Sequence, residues 1–290
     1  MNLLPFVVAG LVIGSVYALS GVGVLVLYRT TGVLNFAHGA LGALAAMLAW
    51  QTIGLRMQPP VAIAVGVAAG AAVALLFGLV AGPFLARIDP LRKAIATLGL
   101  ALALLGVMLF TWNDKARTLR LDTSRISFGI AGARVNLTQI ICLVLALLVV
   151  VGTLSALRWT SVGTSMRALA SDRELAAVVG TNVRLVENLA WAISGAIAGV
   201  SGVLLADQTR LEPAFLTFLI IPELAAVVIG RFTSLWLTLA GGLAIGLGQS
   251  LVSAYPSVSA FSTAVPFVVA TLVILAATRR RPVTVAVVRA

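Results

Sequence analysis

Eight polar side chains interrupt the long apolar runs of the sequence, and their chemistry would matter most at membrane depth. They are Asn35, His38, Gln139, Glu187, Asn188, Asp207, Glu223 and Gln249. An ionisable group in hydrocarbon costs roughly 3 kcal/mol unless it faces water or a partner. We therefore predict that Asn35, His38 and Glu223 contribute to a translocation path. The alternatives are an internal hydrogen bond for His38 and, for Glu223, an ion pair with an arginine such as Arg231.

No group of residues has the spacing of a catalytic or metal site. The chain has one histidine and one cysteine, Cys142, so a disulfide within the chain is excluded. The sequence has no acid pair on one helix face, no cluster of metal-ligand residues and no glycine-rich phosphate loop followed by Lys and Ser or Thr. We predict a protein that is not an enzyme and that has no cofactor or metal of its own.

A polar segment at residues 163–180 carries start and stop signals for a short helix. Ser171, followed three residues later by Glu174, has the form of a capping box. Gly180 supplies a residue that can turn left-handed at the helix end. The apolar residues between them, Leu175, Val178 and Val179, share one face. A helix of about two turns is marginal alone, so this face is expected to pack against a partner.

The elements that must position these residues are transmembrane helices. Hydrophobic residues make up 61% of the chain, charged residues make up 10%, and the mean hydropathy is +1.11. These values predict an all-α polytopic membrane bundle forming a single domain over residues 1–290, with no separate soluble domain. We expect nine apolar segments, with a range of eight to ten: 4–28, 33–54, 59–82, 94–112, 136–157, 185–207, 215–230, 234–254 and 260–278. Segments 33–54 and 215–230 contain polar residues or proline, so either is a candidate for a broken or re-entrant helix.

Charge distribution predicts the orientation of these segments. The first apolar run lacks the basic region and cleavage pattern of a signal peptide, so we expect it to be retained. With the N-terminus outside, 13 of the 20 Lys and Arg residues are cytoplasmic: Arg29, Arg87, Arg92, Lys93, Arg158, Arg167, Arg173, Arg184, Arg231, Arg279, Arg280, Arg281 and Arg289. The positive-inside rule therefore favours an outside N-terminus and a cytoplasmic C-terminus. It places residues 163–180 in the cytoplasm and accounts for the net charge of +11 without a nucleic-acid partner.

Small residues recur at four-residue spacing and predict close helix packing. Gly195 and Gly199 have this spacing in the segment after the polar loop, and Gly202 extends their face. Small residues let backbones approach closely, which promotes helix association in lipid. Packing within one subunit is the first interpretation, and a subunit interface is the alternative.

Two stretches resemble the permease subunits of branched-chain amino acid ABC importers. The first comprises residues 14–19, GSVYAL, and residues 28–39, YRTTGVLNFAHG, in which the string NFAHG is specific. The second runs from residue 163 to residue 205 and includes AWAISG at residues 190–195. The family carries Gly-Gly-x-Gly-Ser-x-x-Gly where this chain has IGRFTSLW at residues 229–236. The resemblance is weaker at residues 113–134 and after Gly230.

The resemblance implies a multi-pass subunit of the inner membrane that works with several partners. These would be a second related permease, two cytoplasmic ABC ATPases that bind ATP and Mg²⁺, and an extracytoplasmic solute-binding protein. By position, residues 163–180 would form the segment that couples to an ATPase. Its candidate contacts are Arg167, Ser171, Asp172, Glu174, Leu175, Ala176, Val179 and Gly180.

Branched-chain amino acids are the first expected substrates, and urea or short amides are alternatives because related permeases carry them. Two other functions remain open from the residues alone. An ion-coupled secondary transporter would need buried acids and discontinuous helices in both halves of the chain. A membrane scaffold without transport activity would need neither.

Overall fold

The computed structural model describes residues 3–86, 88–130 and 133–279. Arg87, Arg280, Arg281 and Arg289, which we predict to be cytoplasmic, lie outside the described residues. The helices are α1 (Leu4–Thr31), α2 (His38–Gly54), α3 (Pro59–Leu85), α4 (Pro90–Trp112), α5 (Leu137–Trp159), α6 (Ser161–Ser171), α7 (Arg173–Val178), α8 (Val183–Gln208), α9 (Pro213–Phe218), α10 (Ile220–Ile229), α11 (Leu235–Ser253) and α12 (Val265–Arg279).

The structure is a helical membrane bundle, as the composition predicts. Within the described residues, six helices are long and apolar enough to cross a membrane: α1, α3, α4, α5, α8 and α11. The other apolar segments are shorter. Helix α2, with 17 residues, is about 26 Å long against a hydrocarbon core of about 30 Å. The count of nine segments therefore stays a prediction, although every predicted segment overlaps at least one helix.

Helix α1 lies at the centre of the bundle. Of its most apolar stretch, 89% is buried within the protein, against 17% for α4 and for α5. It packs against α5, α8, α10 and α11. Because α4 and α5 expose most of their apolar side chains, they are the helices suited to face lipid. The start of α1 carries proline in its first turn, and Gly32 ends the helix with a φ of 66°.

The small residues of α8 pack against α2 and α3 of the same chain. A Cβ added at Gly195 would lie 2.6 Å from the Gly70 carbonyl oxygen of α3. A Cβ at Gly199 would lie 2.9 Å from the Val67 Cα, and one at Gly202 would overlap the backbone of Gly42 in α2. Glycine is therefore the residue that lets these three helices approach this closely.

The two segments with unusual composition are both irregular. Residues 32–37 are not helical, and α2 begins only at His38. The segment 215–230 is divided into α9 and α10, which meet at Leu219. The break does not lie at Pro222, because this proline lies in the first turn of α10, where its missing N–H group is tolerated.

The region between α4 and α5 contains a short hairpin that an all-α prediction does not include. Strands β1 (Ser127–Ile130) and β2 (Ala133–Asn136) pair antiparallel. Asn136 then begins α5 as a capping box with Gln139. At the start of this region, Arg117 pairs through its backbone with Leu211. The hairpin region is therefore anchored at the junction of α8 and α9.

Candidate functional site

Helices α6 and α7 lie at one end of the bundle, where α1 and α3 end and α8 begins. Met166 and Leu169 of α6 pack in one cluster with Leu85 of α3 and Val186 of α8. Helix α6 starts at Ser161, where the Thr160 hydroxyl accepts a hydrogen bond from the Gly163 N–H over 3.0 Å. We refer to this end of the molecule as the α6–α7 end. Helix α6 packs on α1, α5 and α8, and α7 packs on α6 and α8, so this end of the molecule is attached to the bundle.

The start of α7 differs from the predicted capping box. Ser171 is the last residue of α6, and Asp172 caps α7 instead. The Asp172 carboxylate accepts hydrogen bonds from the Glu174 and Leu175 N–H groups, each over 2.9 Å. The predicted capping role of Ser171 was wrong because Asp172 is equally suited to cap a helix and lies one residue closer to it. Helix α6 itself was not predicted.

The end of α7 has the predicted left-handed glycine. Gly180 has a φ of 89°. Its N–H donates to the Ala177 carbonyl, and the Thr181 N–H donates to the Ala176 carbonyl over 3.0 Å. This pair of bonds is the Schellman motif, which satisfies carbonyls that the helix end would leave free. The stop signal read from the sequence is confirmed.

The apolar face of α7 is exposed. The exposed fractions of Leu175, Val178 and Val179 are 61%, 83% and 72%. Ala176, on the other face, is buried in the same cluster as Met166. Two of the other predicted contact residues, Arg167 and Glu174, are also exposed. Helix α7 thus presents apolar side chains outward while a small residue packs inward.

An ion pair holds α7 to α8. The Arg173 Nε donates to the Glu187 Oε1 over 2.8 Å, and a second guanidinium nitrogen lies 3.4 Å from Oε2. The side chain of Glu187 is only 13% exposed, whereas that of Arg173 is 47% exposed. The hydrogen bond to Glu187 raises the pKa of the Arg173 guanidinium above its usual range. Glu187, which we considered as a polar residue at membrane depth, is therefore paired at the α6–α7 end.

Asn35 is buried in the irregular stretch before α2 and organises its backbone. Its Oδ1 accepts a hydrogen bond from the Ala37 N–H over 3.0 Å, whereas its Nδ2 has no partner. The Thr97 hydroxyl of α4 accepts from the Phe36 N–H and donates to the Leu34 carbonyl. Thr97 was not predicted as a polar site residue because threonine is common in transmembrane helices.

His38 is buried where α1, α2 and α8 meet. Its Nδ1 lies 3.3 Å from the Ser194 hydroxyl oxygen, and its Nε2 has no partner. A Cβ added at Gly23 of α1 would lie 2.7 Å from the imidazole Cε1. The hydrogen bond to Ser194 favours an internal role for one ring nitrogen, while the other nitrogen remains available to a ligand.

Glu223 is buried in α10 against α1. Its Oε2 and the Ser20 Oγ both lack a hydrogen-bond partner, although the Ser20 hydroxyl lies close to the carboxyl group. Tyr17, one turn earlier on α1, lies within electrostatic range of the carboxyl group. Arg231 is exposed and makes no ion pair with Glu223. The alternative of an ion pair with Arg231 is therefore wrong.

A cleft of about 930 Å³ is lined by Pro222, the residue before Glu223, and we refer to it as the cleft beside Glu223. It lies between α1, α9, α10, α11 and α12, and its lining includes aromatic rings and hydroxyl groups but no charged side chain: Phe6, Ile13, Tyr17, Thr209, Phe215, Phe218, Leu219, Ile221, Pro222, Gly246, Gln249, Ser250, Ser253, Ser262, Thr263, Ala264, Pro266 and Phe267. Asn35 and His38 do not line it. Glu223, which is 2% exposed, does not line it either, so the structure leaves all three predicted path residues in the interior and only the neighbouring Pro222 on the cleft wall.

Comparison with known proteins supports the resemblance seen in the sequence. A family model described as "Branched-chain amino acid transport system / permease component" matches residues 6–278. The probable branched-chain amino acid transport permease protein LivH of Methanocaldococcus jannaschii is 29% identical over 263 residues, which cover 87% of this chain and 82% of that protein. LivH of Escherichia coli strain K12 is 28% identical, covering 92% of this chain and 91% of that protein. BraD of Pseudomonas aeruginosa is 27% identical, with 84% of each chain covered. Because the family model matches most of the chain, the chain belongs to the branched-chain amino acid transport permease components, which are non-catalytic membrane subunits.

Proposed function

We propose that this chain is the permease subunit of an ATP-driven importer and that α7 docks on a cytoplasmic ATPase subunit. The observation that carries this proposal is the exposed apolar face of α7, formed by Leu175, Val178 and Val179. Helix α7 is capped at both ends, so its shape does not depend on a partner. An apolar helix face that is folded but uncovered is a typical protein-docking surface.

The charges at the α6–α7 end support a cytoplasmic location for this surface. Arg29 donates to the Thr233 carbonyl there, and the Lys93 Nζ lies near Gly32 at the end of α1. Arg158, Arg173 and Arg184 add to the positive charge at this end. We therefore propose an outside N-terminus, a cytoplasmic C-terminus and insertion in the inner membrane.

ATP-driven import requires further subunits, because this chain supplies only the membrane component. We propose two ATPase subunits that bind ATP and Mg²⁺, a second permease subunit and an extracytoplasmic solute-binding protein. The second permease is either a related chain or another copy of this one. All of residues 1–290 would act as a single permease domain.

Movement of the ATPases would reach the membrane through α8. Helix α7 is joined to α8 by the ion pair between Arg173 and Glu187. The backbone of α8 in turn contacts α3 at Gly195 and α2 at Gly202, because glycine has no side chain to keep the helices apart. Tightly packed backbones move together, because they have no side chains between them to absorb a displacement. His38 lies on this route, since it contacts Ser194 of α8.

Branched-chain amino acids are the proposed substrates, with urea and short amides as alternatives. The cleft beside Glu223 has aromatic rings that suit an aliphatic side chain and serine hydroxyls that suit polar groups. Uptake of labelled leucine, isoleucine and valine into proteoliposomes, measured beside urea and acetamide with the matching binding protein, distinguishes these substrates.

The docking proposal is tested with Val178→Glu in the full complex. Val178 is the most exposed of the three apolar residues, so the substitution leaves the fold of the permease intact. We expect at least a tenfold loss of co-purified ATPase subunits, because a charge replaces an apolar contact. Leu55→Glu is the matched control, since Leu55 is 70% exposed but follows α2 at the other end of the bundle.

Equal ATPase recovery from the Val178→Glu and Leu55→Glu complexes would refute docking through α7. Uptake that continues without ATP hydrolysis but responds to an ion gradient would instead support a secondary transporter. Glu223 is the buried acid that such a transporter would use, so the energy source of uptake separates the two functions.

A further inference from the structure

A second, smaller pocket of about 210 Å³ lies at the α6–α7 end, between the last turns of α3 and the first turns of α8. Its lining combines an apolar wall from α3 with charged and amide side chains from α7 and α8: Gly78, Leu79, Gly82, Pro83, Ala86, Arg173, Arg184, Glu187 and Asn188. The pocket is separate from the cleft beside Glu223 and from the exposed face of α7. Neither the family nor the proposed transport function assigns a ligand to it.

The pocket exists because α3 and α8 separate after a long stretch of close contact. At Gly78, an added Cβ would overlap the indole of Trp191, so the two helices touch there. One turn further along α3, a Cβ at Gly82 would meet nothing within 4 Å. Trp191 therefore closes the pocket toward the middle of the bundle, while the pocket remains open toward the α6–α7 end.

The polar side of the pocket has an uncompensated positive charge. Arg173 and Glu187 neutralise each other through their ion pair. The side chains of Arg184 and Asn188, one turn apart on α8, make no hydrogen bond or ion pair within the part of the chain that the structure describes. The lining is thus left with one free guanidinium and one free amide, which together suit a group with a single negative charge.

The apolar side of the pocket continues onto a face of α3 that no helix among the described residues covers. Leu79, Val80 and Phe84 are 49%, 70% and 74% exposed. Pro83 lies between them and leaves the Leu79 carbonyl without its helical N–H donor. A ligand that fits both sides must therefore have an anionic head and at least one apolar chain.

We propose that this pocket binds the headgroup of an anionic phospholipid, with Arg184 and Asn188 on the phosphate and the acyl chains along Leu79, Val80 and Phe84. Basic pockets between helices at the membrane surface are suited to such headgroups. A single phosphodiester charge, as in phosphatidylglycerol, matches the single free guanidinium. Because Arg173 also lines the pocket, the bound lipid would lie against the ion pair that joins α7 to α8.

The test measures lipid retention by the full-length chain with native mass spectrometry. Protein in detergent is titrated with phosphatidylglycerol, with phosphatidylcholine or with inorganic phosphate. We expect retention of phosphatidylglycerol over phosphatidylcholine, and about tenfold weaker retention by Arg184→Gln, because a charged hydrogen bond to the phosphate is lost. Arg158→Gln is the matched control, since Arg158 is also exposed at the α6–α7 end but does not line the pocket.

A second pair of variants tests the pocket without changing charge. Gly82→Leu would fill the pocket from the α3 side, where the structure has room for a side chain. It should reduce phosphatidylglycerol retention as strongly as Arg184→Gln. Gly152→Leu, on exposed α5 with equally open space, should not.

Three results would overturn the proposal. One is unchanged phosphatidylglycerol retention in both Arg184→Gln and Gly82→Leu. Another is displacement of the lipid by an equal concentration of inorganic phosphate, which would identify a site for free anions. The third is equal retention of phosphatidylcholine. None of these measurements involves ATPase docking. A result that overturns the lipid site therefore leaves the proposed transport function untouched, and the reverse also holds.

Discussion

The Arg173 guanidinium of α7 is held 2.8 Å from the Glu187 carboxylate of α8. This is the ion pair that joins the short exposed helix to a long helix of the bundle. The carboxylate is mostly covered, but the guanidinium is half exposed, so solvent screening limits the pair to about 1 kcal/mol or less. An energy of this size does not hold the fold together, but it sets how often α7 separates from α8.

Arg173→Gln is therefore expected to increase hydrogen exchange of the α7 amides by up to about fivefold. Glu187→Gln should have the same effect, and the double variant should add little, because either single change already breaks the pair. Hydrogen exchange by mass spectrometry on the purified chain measures these rates. Additive effects in the double variant would show that the two side chains act independently.

The Asp172 cap gives a second prediction about α7. Asp172→Ala removes the acceptor for two backbone N–H groups and should destabilise α7 by about 1 kcal/mol. Substrate-stimulated ATPase activity of the reconstituted complex should fall with it if α7 is the docking helix. Asp172→Asn, which keeps an acceptor oxygen, should retain most of the activity.

Ser171→Ala is the control for the cap. Ser171 ends α6 and contributes no capping bond to α7. Its substitution should leave hydrogen exchange of the α7 amides unchanged. An increase in exchange in Ser171→Ala equal to that in Asp172→Ala would favour the capping box that the sequence suggested.

Close packing between α8 and α2 predicts that Gly202→Ala is destabilising. The added methyl group would overlap the Gly42 backbone, and backbone atoms cannot rotate away as side chains do. We expect a loss of about 1–3 kcal/mol in the free energy of unfolding, measured by thermal unfolding in detergent. Gly106→Ala, in α4 where an added Cβ meets nothing within 4 Å, should be neutral. Equal stability of the two variants would contradict the packing.

Helix positions and the small-residue faces could be predicted from the sequence because they depend on local patterns. Apolar runs of about 20 residues identify spans, and the glycine at position 180 identifies the end of α7. The start of α7 could not be fixed in the same way. Ser171 and Asp172 are adjacent residues of similar capping strength, and tertiary packing of α6 decides between them.

The surroundings of the buried polar residues were not predictable from the sequence. The hydrogen bond between His38 and Ser194 joins residues 156 positions apart, and the proximity of Glu223 to Ser20 depends on how α10 packs on α1. The lipid pocket likewise depends on where α3 and α8 separate. A sequence pattern gives the residues of each helix but not the angle at which two helices cross.

The turn between α10 and α11 gives a prediction about strain. Arg231 and Phe232 both have left-handed backbones, with φ values of 54° and 55°. Phe232 packs on Tyr28 with a ring distance of 4.9 Å, whereas Arg231 is exposed and has no comparable contact. Arg231→Gly should therefore raise the free energy of unfolding by about 1 kcal/mol, because glycine adopts this conformation without a Cβ clash.

Arg231→Ala is the matched variant, because it removes the charge and keeps the Cβ. It should leave stability unchanged in the same thermal unfolding experiment. If Arg231→Ala stabilises the protein as much as Arg231→Gly, charge removal and not backbone strain accounts for the gain.

Glu223 gives the prediction that bears most directly on the translocation path. Glu223→Gln keeps the size of the side chain and removes an ionisable group that has no ion pair in the described structure. Thermal stability should be unchanged or higher, because an unpaired buried acid is costly. ATP-driven uptake should fall about tenfold if the carboxyl group makes a charged hydrogen bond to the substrate as it passes. Glu212→Gln, which breaks the peripheral pair with Arg210, should transport normally, and normal uptake by Glu223→Gln would remove Glu223 from the path.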